Sequence, residues 1–172
     1  MKKSIFIMMI FAGMFFSACE KDEVGGTATQ ALAGEWYVTA SQVDDNLDVV
    51  YDDLFGMGQF MVNTYNTAAN VADEMWVSDM GNFWDFSVKV NCDSKALTFS
   101  TSGTVANYSY EDCDVTIEGG KIMYGAATTP HGTPADSIVF YVSFSDDPYP
   151  TDYGYSKHMI SGYRYTGLES DD

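Results

Sequence analysis

Apolar and polar residues alternate along most of this chain, as they do in strands that bury one face. The longest regular runs are residues 83–92 (FWDFSVKVNC) and 136–144 (DSIVFYVSF). Successive side chains of a strand point to opposite faces, so each run predicts a half-buried strand. The apolar faces consist of Trp84, Phe86, Val88, Val90 and Cys92 in the first run, and of Ile138, Phe140, Val142 and Phe144 in the second.

Further runs with less regular alternation predict the remaining strands, and no long stretch has helical spacing. These runs are residues 34–43, 58–65, 73–78, 96–101, 113–118, 121–124 and 156–166. Gly119-Gly120 predicts a turn between two of them. Eight or nine short strands, each with one apolar face, predict an all-β fold. An up-and-down antiparallel β-barrel of about eight strands is expected, because closure removes exposed sheet edges. A sandwich of two sheets is the alternative.

The first residues predict export and a lipid anchor. Residues 1–18 combine Lys2 and Lys3 with an apolar run over residues 4–16, which is too short to span a bilayer and predicts a signal peptide. Residues 16–19 (FSAC) resemble a lipobox, so Cys19 is the predicted lipidation site; an ordinary secretory signal is the alternative. Residues 19–31 predict a flexible tether, and residues 32–168 predict the barrel domain.

Acidic residues dominate the charge of the chain. The formal net charge is −17, and loss of Lys2 and Lys3 with the signal makes it −19. Such a chain has no basic patch that would neutralise phosphates, which excludes nucleic acid as a partner. Residues 20–23 (EKDE) resemble the export signal of some Gram-negative lipoproteins. They predict an outer-membrane lipoprotein exposed at the cell surface, with a periplasm-facing protein as the alternative.

The first strand of the predicted domain opens with Gly34-Glu35-Trp36, and Arg164 stands in the last strand. This pair resembles lipocalin-like barrels, in which the tryptophan closes one end and the arginine lies across its ring. Four longer blocks resemble bacterial lipoproteins of the lipid-binding putative hydrolase family. They are residues 32–40 (LAGEWYVTA), 88–101 (VKVNCDSKALTFST), 135–144 (ADSIVFYVSF) and 161–167 (SGYRYTG). The resemblance implies a lipocalin-like barrel closed by Gly34, Trp36 and Arg164, and it implies lipid binding.

A barrel of about eight strands can hold one small ligand, and apolar ligands are bound mainly by hydrophobic and aromatic side chains. His158 shares strand parity with Ile160, so it is expected to point inward with the apolar faces. The candidate lining of such a cavity is Trp84, Phe86, Val88, Phe140, Val142, Phe144 and His158. The alternative is that these side chains fill the barrel as its core.

No motif supports the hydrolase part of the family name. The sequence has no G-x-S-x-G, H-E-x-x-H or C-x-x-C motif, and its histidines are His131, in a loop with two prolines, and His158. We therefore predict no catalytic residue and no cofactor. The acidic loops at residues 44–48 and 146–147 lack the full calcium-loop pattern, so we interpret them as solvated loops and predict no metal site.

With Cys19 lipidated, Cys92 and Cys113 are the two remaining cysteines. The cell envelope is oxidising, so we predict a disulfide between them, with two buried free thiols as the alternative. The main functional prediction is a lipid-anchored envelope lipoprotein whose barrel binds a small hydrophobic or lipid-like ligand. One alternative is a surface interaction or accessory lipoprotein with a filled barrel. A weak lipid esterase is the other.

Overall fold

The computed structural model describes residues 25–168. This segment contains ten β-strands and one short helix. The strands are β1 (Gly34–Val43), β2 (Val49–Tyr51), β3 (Phe60–Asn66), β4 (Glu74–Ser78), β5 (Ser87–Asp93), β6 (Thr98–Ser100), β7 (Val105–Ala106), β8 (Asp114–Thr128), β9 (Pro134–Phe144) and β10 (Lys157–Arg164). Helix α1 (Pro150–Tyr153) lies between β9 and β10, and no helix in the described residues has the length and apolar character to cross a membrane. The predicted signal peptide, Cys19 and the acidic run after it lie outside these residues.

Eight of these strands form a closed antiparallel barrel. Its order is β1-β3-β4-β5-β6-β8-β9-β10, and β10 pairs again with β1. The closing pair runs from Trp36 opposite Arg164 to Val43 opposite Lys157. The short strands β2 and β7 pair with β1 and β8 outside this cycle. The predicted up-and-down barrel is confirmed, and a two-sheet sandwich is wrong because β1 and β10 pair along nearly their whole length.

The inward side chains of all eight barrel strands pack into one contiguous core. Full burial stabilises a large apolar side chain by about 1.5–3 kcal/mol, which makes this core the main source of stability. The largest fully buried side chains include Trp36, Phe86, Phe140, Met75, Ile117, Ile122, Ile138 and Ile160. The complete strand cycle and its core lie within residues 25–168, so this segment has what an independently folding domain requires.

Strand β8 corrects the turn predicted at Gly119-Gly120. The strand continues through both glycines, and its register with β9 shifts between Glu118 and Lys121. Gly119 adopts a φ of 61°, which suits a bulge, and the ring of Phe99 occupies the space where a Cβ on Gly120 would lie. The glycines therefore form a bulge that lets Phe99 pack against the backbone.

Strand β5 is shorter than the alternation at residues 83–92 predicted. It begins at Ser87, so Phe83 and Trp84 belong to the preceding loop. Trp84 has the same parity as the buried residues Val88 and Val90 of the strand, although it lies in the loop. The loop is held by a buried carboxylate, described below.

The predicted disulfide is not formed, since Cys92 and Cys113 are both free. Asn107 bonds to the carbonyl of Cys113 and to the backbone N–H of Ser87, which places Cys113 beside the start of β5. Cys92 lies five residues further along that strand, roughly 16 Å away at about 3.3 Å per residue. A disulfide requires Cα atoms about 4.4–6.8 Å apart, so the two thiols cannot meet.

The loops between strands form two distinct ends of the barrel. The N-terminal end comprises residues 25–33, 67–73, 94–97, 129–133 and 165–168. The rim comprises residues 44–59, 79–86, 101–113 and 145–156. These two names are used below.

Candidate functional site

At the N-terminal end, Arg164 covers the ring of Trp36. The guanidinium carbon lies 4.3 Å from the ring centroid, and the tryptophan is fully buried. Arg164 Nε donates to Asp136 Oδ2 at 2.9 Å, and Nη1 donates to the carbonyl of Ala33 at 2.6 Å. A Cβ on Gly34 would collide with the guanidinium. Glycine at this position therefore leaves the room that the arginine occupies.

A second set of hydrogen bonds seals the same end. The indole Nε1 of Trp36 donates to Thr64 Oγ1 at 2.9 Å, and Thr64 Oγ1 donates to the carbonyl of Leu32 at 2.6 Å. Ala28, which the sequence assigns to the tether, donates its backbone N–H to Asn70 Oδ1 at 2.8 Å. Leu32 is fully buried beneath these bonds. The chain entering the domain thus covers the N-terminal end, and the rim is the end left for a ligand.

Six of the seven candidate cavity residues lie inside the core. Phe86, Val88, Phe140, Val142, Phe144 and His158 are all buried, and the five apolar members belong to the contiguous core cluster. Only Trp84, which is half-buried, reaches the surface. A ligand-binding role for the six stays a prediction, and their position makes them a floor beneath the rim.

Aromatic rings from the loops close the mouth of the barrel. Phe83 stacks on Phe60, with centroids 5.3 Å apart and planes at 10°. Trp84 stacks on Phe144, with centroids 4.9 Å apart and planes at 7°. Phe55 packs against both loop residues, 6.4 Å from Phe83 and 5.9 Å from Trp84. Offset and stacked rings of this kind add to the burial energy, so the mouth is filled by a rigid aromatic layer.

A groove lies on the outer side of this aromatic layer. Its volume is about 550 Å³, within the range of small-molecule sites. Its lining residues are Gly81, Phe83, Trp84, Asp85, Tyr110 and Asp146. We call this the rim groove. Trp84 Nε1 donates to Asp146 Oδ1 at 2.9 Å, which fixes the indole ring at the groove's base.

Asp79 holds the loop that carries Phe83 and Trp84. Its carboxylate is fully buried and accepts five backbone N–H bonds at 2.7–3.0 Å. The donors are the backbone N–H groups of Gly81, Phe83, Trp84, Asp85 and Phe86. Such bonds to a carboxylate are stronger than neutral ones, so this side chain replaces the ladder bonds that a strand would have supplied.

The same loop contains non-glycine residues in the left-handed region. Met80 has a φ of 53° and Asp85 a φ of 52°. These conformations are costly and persist only where surrounding contacts impose them. The backbone carbonyl of Asp85 accepts from Asn107 Nδ2 at 3.0 Å, which ties this loop to the segment bearing Tyr110. The groove walls are therefore held in place by two buried polar side chains, Asp79 and Asn107.

His158 lies under the aromatic layer with both ring nitrogens engaged. The amide oxygen of Gln42 accepts from Leu54 N at 3.0 Å, which turns its amide nitrogen toward His158 Nδ1 at 3.2 Å. Nδ1 is thus an acceptor, and Nε2 donates to Asp147 Oδ2 at 3.0 Å. Neither nitrogen is free to take a proton from a serine. His158, held between Gln42 and Asp147, therefore acts as a structural clamp.

Burial shifts the pKa values of three side chains, His158, Tyr155 and Cys113, in the direction that favours their neutral forms. It lowers the pKa of His158, against the opposing effect of the hydrogen bond that His158 donates to Asp147. Burial and Asp147, which accepts the Tyr155 hydroxyl at 2.7 Å, raise the pKa of Tyr155. Burial, followed by the contact with Asp146, raises the pKa of Cys113 to about 12, so its thiol stays protonated and unreactive.

Among residues 25–168, no group of three or more histidine, cysteine or acidic side chains is arranged to hold a metal ion. In the first acidic loop, Asp44 Oδ1 accepts the backbone N–H groups of Asn46 and Asp48 at 2.9 and 3.0 Å. That carboxylate organises its own turn. His131, the other histidine considered, is exposed at the N-terminal end.

Sequence reasoning missed Asp79, Asn107, Tyr110 and Asp146. A signal for Asp79 does exist in residues 79–82 (DMGN), because an aspartate two residues before a glycine favours a turn bonded to its own side chain. The other three lie in segments without periodicity. Only the closed barrel brings them beside Trp84.

One comparison with known proteins gave a match. The model of a family described as lipid-binding putative hydrolase matches residues 21–169, which include every strand of the barrel. No curated protein matches the chain.

Proposed function

The chain belongs to the lipid-binding putative hydrolase family, and on that premise we propose that it is a lipid-anchored envelope lipoprotein that binds a small lipid-like ligand in its rim groove. The groove itself is the observation that carries the proposal. It presents the rings of Phe83, Trp84 and Tyr110 to solvent at one end of a β-barrel. Apolar ligands are bound by such surfaces when a few polar groups fix their orientation. Asp85 and Asp146 are the polar groups available here.

The proposed site differs from the interior cavity that the sequence analysis expected. Phe86, Val88, Phe140 and Val142 are fully buried against one another in the core. A ligand inside the barrel would have to displace these side chains, at a cost comparable to unpacking a core. The rim groove already exists and requires no such displacement.

Binding can be tested with residues 20–172 and an uncharged, polarity-sensitive naphthalene dye that carries an alkyl chain. We expect saturable binding, and we expect Trp84→Ala to weaken it roughly tenfold, as removal of a central aromatic anchor does. Trp76→Ala is the matched control, because Trp76 packs on Tyr108 outside the groove lining. Equal affinities in the two variants would reject the groove as the site.

Anchoring is a separate part of the proposal and rests on residues 16–19. We expect a labelled fatty acid to be incorporated into the wild-type chain in cells and not into a Cys19→Ser variant. A protease added to intact cells should digest the anchored protein if it is exposed at the cell surface. Digestion only after the outer membrane is opened would indicate the periplasm-facing alternative.

A second function, docking of a partner protein, is favoured by one further observation. Within residues 25–168, ten of the fourteen exposed large hydrophobic residues lie at the rim. They are Leu47, Val49, Val50, Tyr51, Met57, Met80, Tyr108, Tyr110, Tyr149 and Tyr153. Apolar surface concentrated in this way marks interaction sites. Failure of the dye to bind, with a stable stoichiometric complex isolated through the rim, would favour this second function.

A further inference from the structure

Charge is distributed very unevenly between the two ends of the barrel. The four rim segments, residues 44–59, 79–86, 101–113 and 145–156, contain twelve aspartate and glutamate residues and no lysine or arginine. The N-terminal end contains one acid, Asp73, and one base, Lys95. Net charge by itself indicates solubility, but acids concentrated in the loops around the groove act on whatever enters it.

Two of the rim acids belong to the groove itself. Asp85 and Asp146 line it, and both are exposed. Asp146 uses Oδ1 to accept the Trp84 indole N–H. Burial raises the pKa of Tyr110, and the charges of Asp146 and Asp112 raise it further. An incoming head group would therefore lie between carboxylates and aromatic rings.

Among residues 25–168, no lysine or arginine forms an ion pair with a rim acid. Lys157, the first residue after the segment 145–156, is paired with Glu118 on β8. The arginine of the described chain, Arg164, is engaged at the N-terminal end with Asp136. The field at the groove is consequently that of the acids alone, screened by salt over about 10 Å at 0.1 M.

From these observations we propose that the rim groove selects amphiphiles with a cationic head group. The inference rests on the proposed function and names the ligand class for the same site. The alkyl chain lies along Phe83 and Trp84, and the head group sits beside Asp146 and Asp85. An ammonium group is attracted both by the carboxylates and by the faces of aromatic rings. A fatty-acid anion is repelled by the same carboxylates and finds no cationic partner.

The test compares three ligands that share one dodecyl chain. Dodecyltrimethylammonium, an uncharged dodecyl glycoside and dodecanoate are titrated below micelle formation into residues 20–172, with displacement of the naphthalene dye as the readout. We expect the cation to bind roughly tenfold more tightly than the uncharged ligand, and dodecanoate to bind most weakly. The differences should shrink as ionic strength rises from about 0.01 to about 1 M, because the screening length falls from about 30 to about 3 Å.

A charge variant isolates the contribution of the groove. Asp146→Asn retains an oxygen that can accept from the Trp84 indole, and it removes the charge. We expect it to weaken binding of the cation severalfold more than it weakens binding of the uncharged glycoside. Asp73→Asn is the matched control, because it changes the net charge by the same amount at the N-terminal end, where Asp73 is exposed. Circular dichroism and a cooperative thermal transition check that each variant is folded.

The outcomes separate this inference from the function on which it rests. Binding of all three ligands with equal affinity, or tighter binding of dodecanoate, overturns the cationic preference and leaves the rim site standing. Equal losses in Asp146→Asn and Asp73→Asn overturn it as well, since net charge alone would explain them. Binding of none of the three overturns the lipid-binding function itself. A dimer in sedimentation that Trp84→Ala abolishes would place a second copy on the groove and overturn both.

Discussion

The N-terminal end and the rim close the same barrel with different kinds of contacts. At the N-terminal end, strand residues and the entering chain form a buried network around Trp36, with Arg164 across its ring. At the rim, loop residues stack over the mouth, and the outer faces of Phe83 and Trp84 remain part of a groove. At the N-terminal end, the ring of Trp36 is fully buried in packing contacts. The rim leaves aromatic surface available for recognition.

The difference indicates a division between stability and binding. In the described part of the chain, ten of the fourteen exposed large hydrophobic residues and twelve acids lie at the rim. Exposed apolar residues lower solubility there, and like charges repel one another. The N-terminal end has neither concentration. Substitutions at the two ends should therefore separate the free energy of unfolding from ligand affinity.

The largest effect is expected for Trp36→Ala. Removal of a fully buried tryptophan from a core should lower the free energy of unfolding by about 3–5 kcal/mol, measured by urea unfolding. Dye affinity of the folded fraction should stay unchanged. Trp84→Ala, at the half-buried tryptophan of the rim, should cost less stability and lose more affinity. A loss of affinity in Trp36→Ala equal to that in Trp84→Ala would contradict the division.

Asp79→Asn should affect both properties, because Asp79 is buried and yet builds the groove wall. An amide has one acceptor oxygen, while the Asp79 carboxylate accepts N–H bonds with both of its oxygens. Leaving buried N–H groups unpaired should cost about 1–3 kcal/mol. We also expect weaker dye binding and a changed near-ultraviolet circular dichroism of Trp84. Asp52→Asn, at an exposed rim acid, serves as the control and should change neither signal.

The clamp at His158 should make stability depend on pH. Its pKa is lowered in the folded state from the ordinary value of 6.5, so below that value the unfolded chain binds the extra proton and stability falls as pH falls. The slope from this group is at most about 1.4 kcal/mol per pH unit. We expect His158→Gln, which can still donate to Asp147, to show a shallower dependence between about pH 7 and about pH 5 in urea unfolding. Identical slopes in the two proteins would refute a neutral buried histidine.

The smallest effect is expected for Gly34→Ala. The new Cβ would push the Arg164 guanidinium off Trp36 and should cost about 1 kcal/mol, measured by thermal unfolding. Gly25→Ala is the control, since no atom lies near its Cβ position. Dye affinity should be unchanged in both. Equal stability of the two variants would mean that the arginine moves aside without loss.

Local patterns predicted the barrel, because alternation with period two is set by neighbouring residues. The apolar faces assigned to residues 136–144 are buried as expected, with Ile138, Phe140 and Val142 fully inaccessible. The pairing of β1 with β10 follows from the need to cover two edges. Trp36 and Arg164 then face each other as partners in that closing pair.

The same reasoning failed where side chains override the local pattern. The alternation at residues 83–92 predicted a strand, but Asp79 captures the backbone N–H groups of Phe83 and Trp84. Gly119-Gly120 predicted a turn, but β8 crosses a bulge there that the ring of Phe99 fills. Alternation alone reveals neither outcome, because the first depends on a side-chain carboxylate that bonds to the backbone and the second on a ring from another strand.

By itself, the sequence determined the all-β class and most of the strand faces, and it favoured a closed barrel over a sandwich, since periodicity and burial of apolar faces act along the chain. Only the tertiary structure decided that Cys92 and Cys113 stand too far apart to pair, and that Trp84 belongs to a groove. That groove combines Trp84, Tyr110 and Asp146 from three separate rim loops. Their distances depend on barrel closure and on the buried bonds of Asp79 and Asn107; a local pattern indicates the turn at Asp79, but none brings the three loops together.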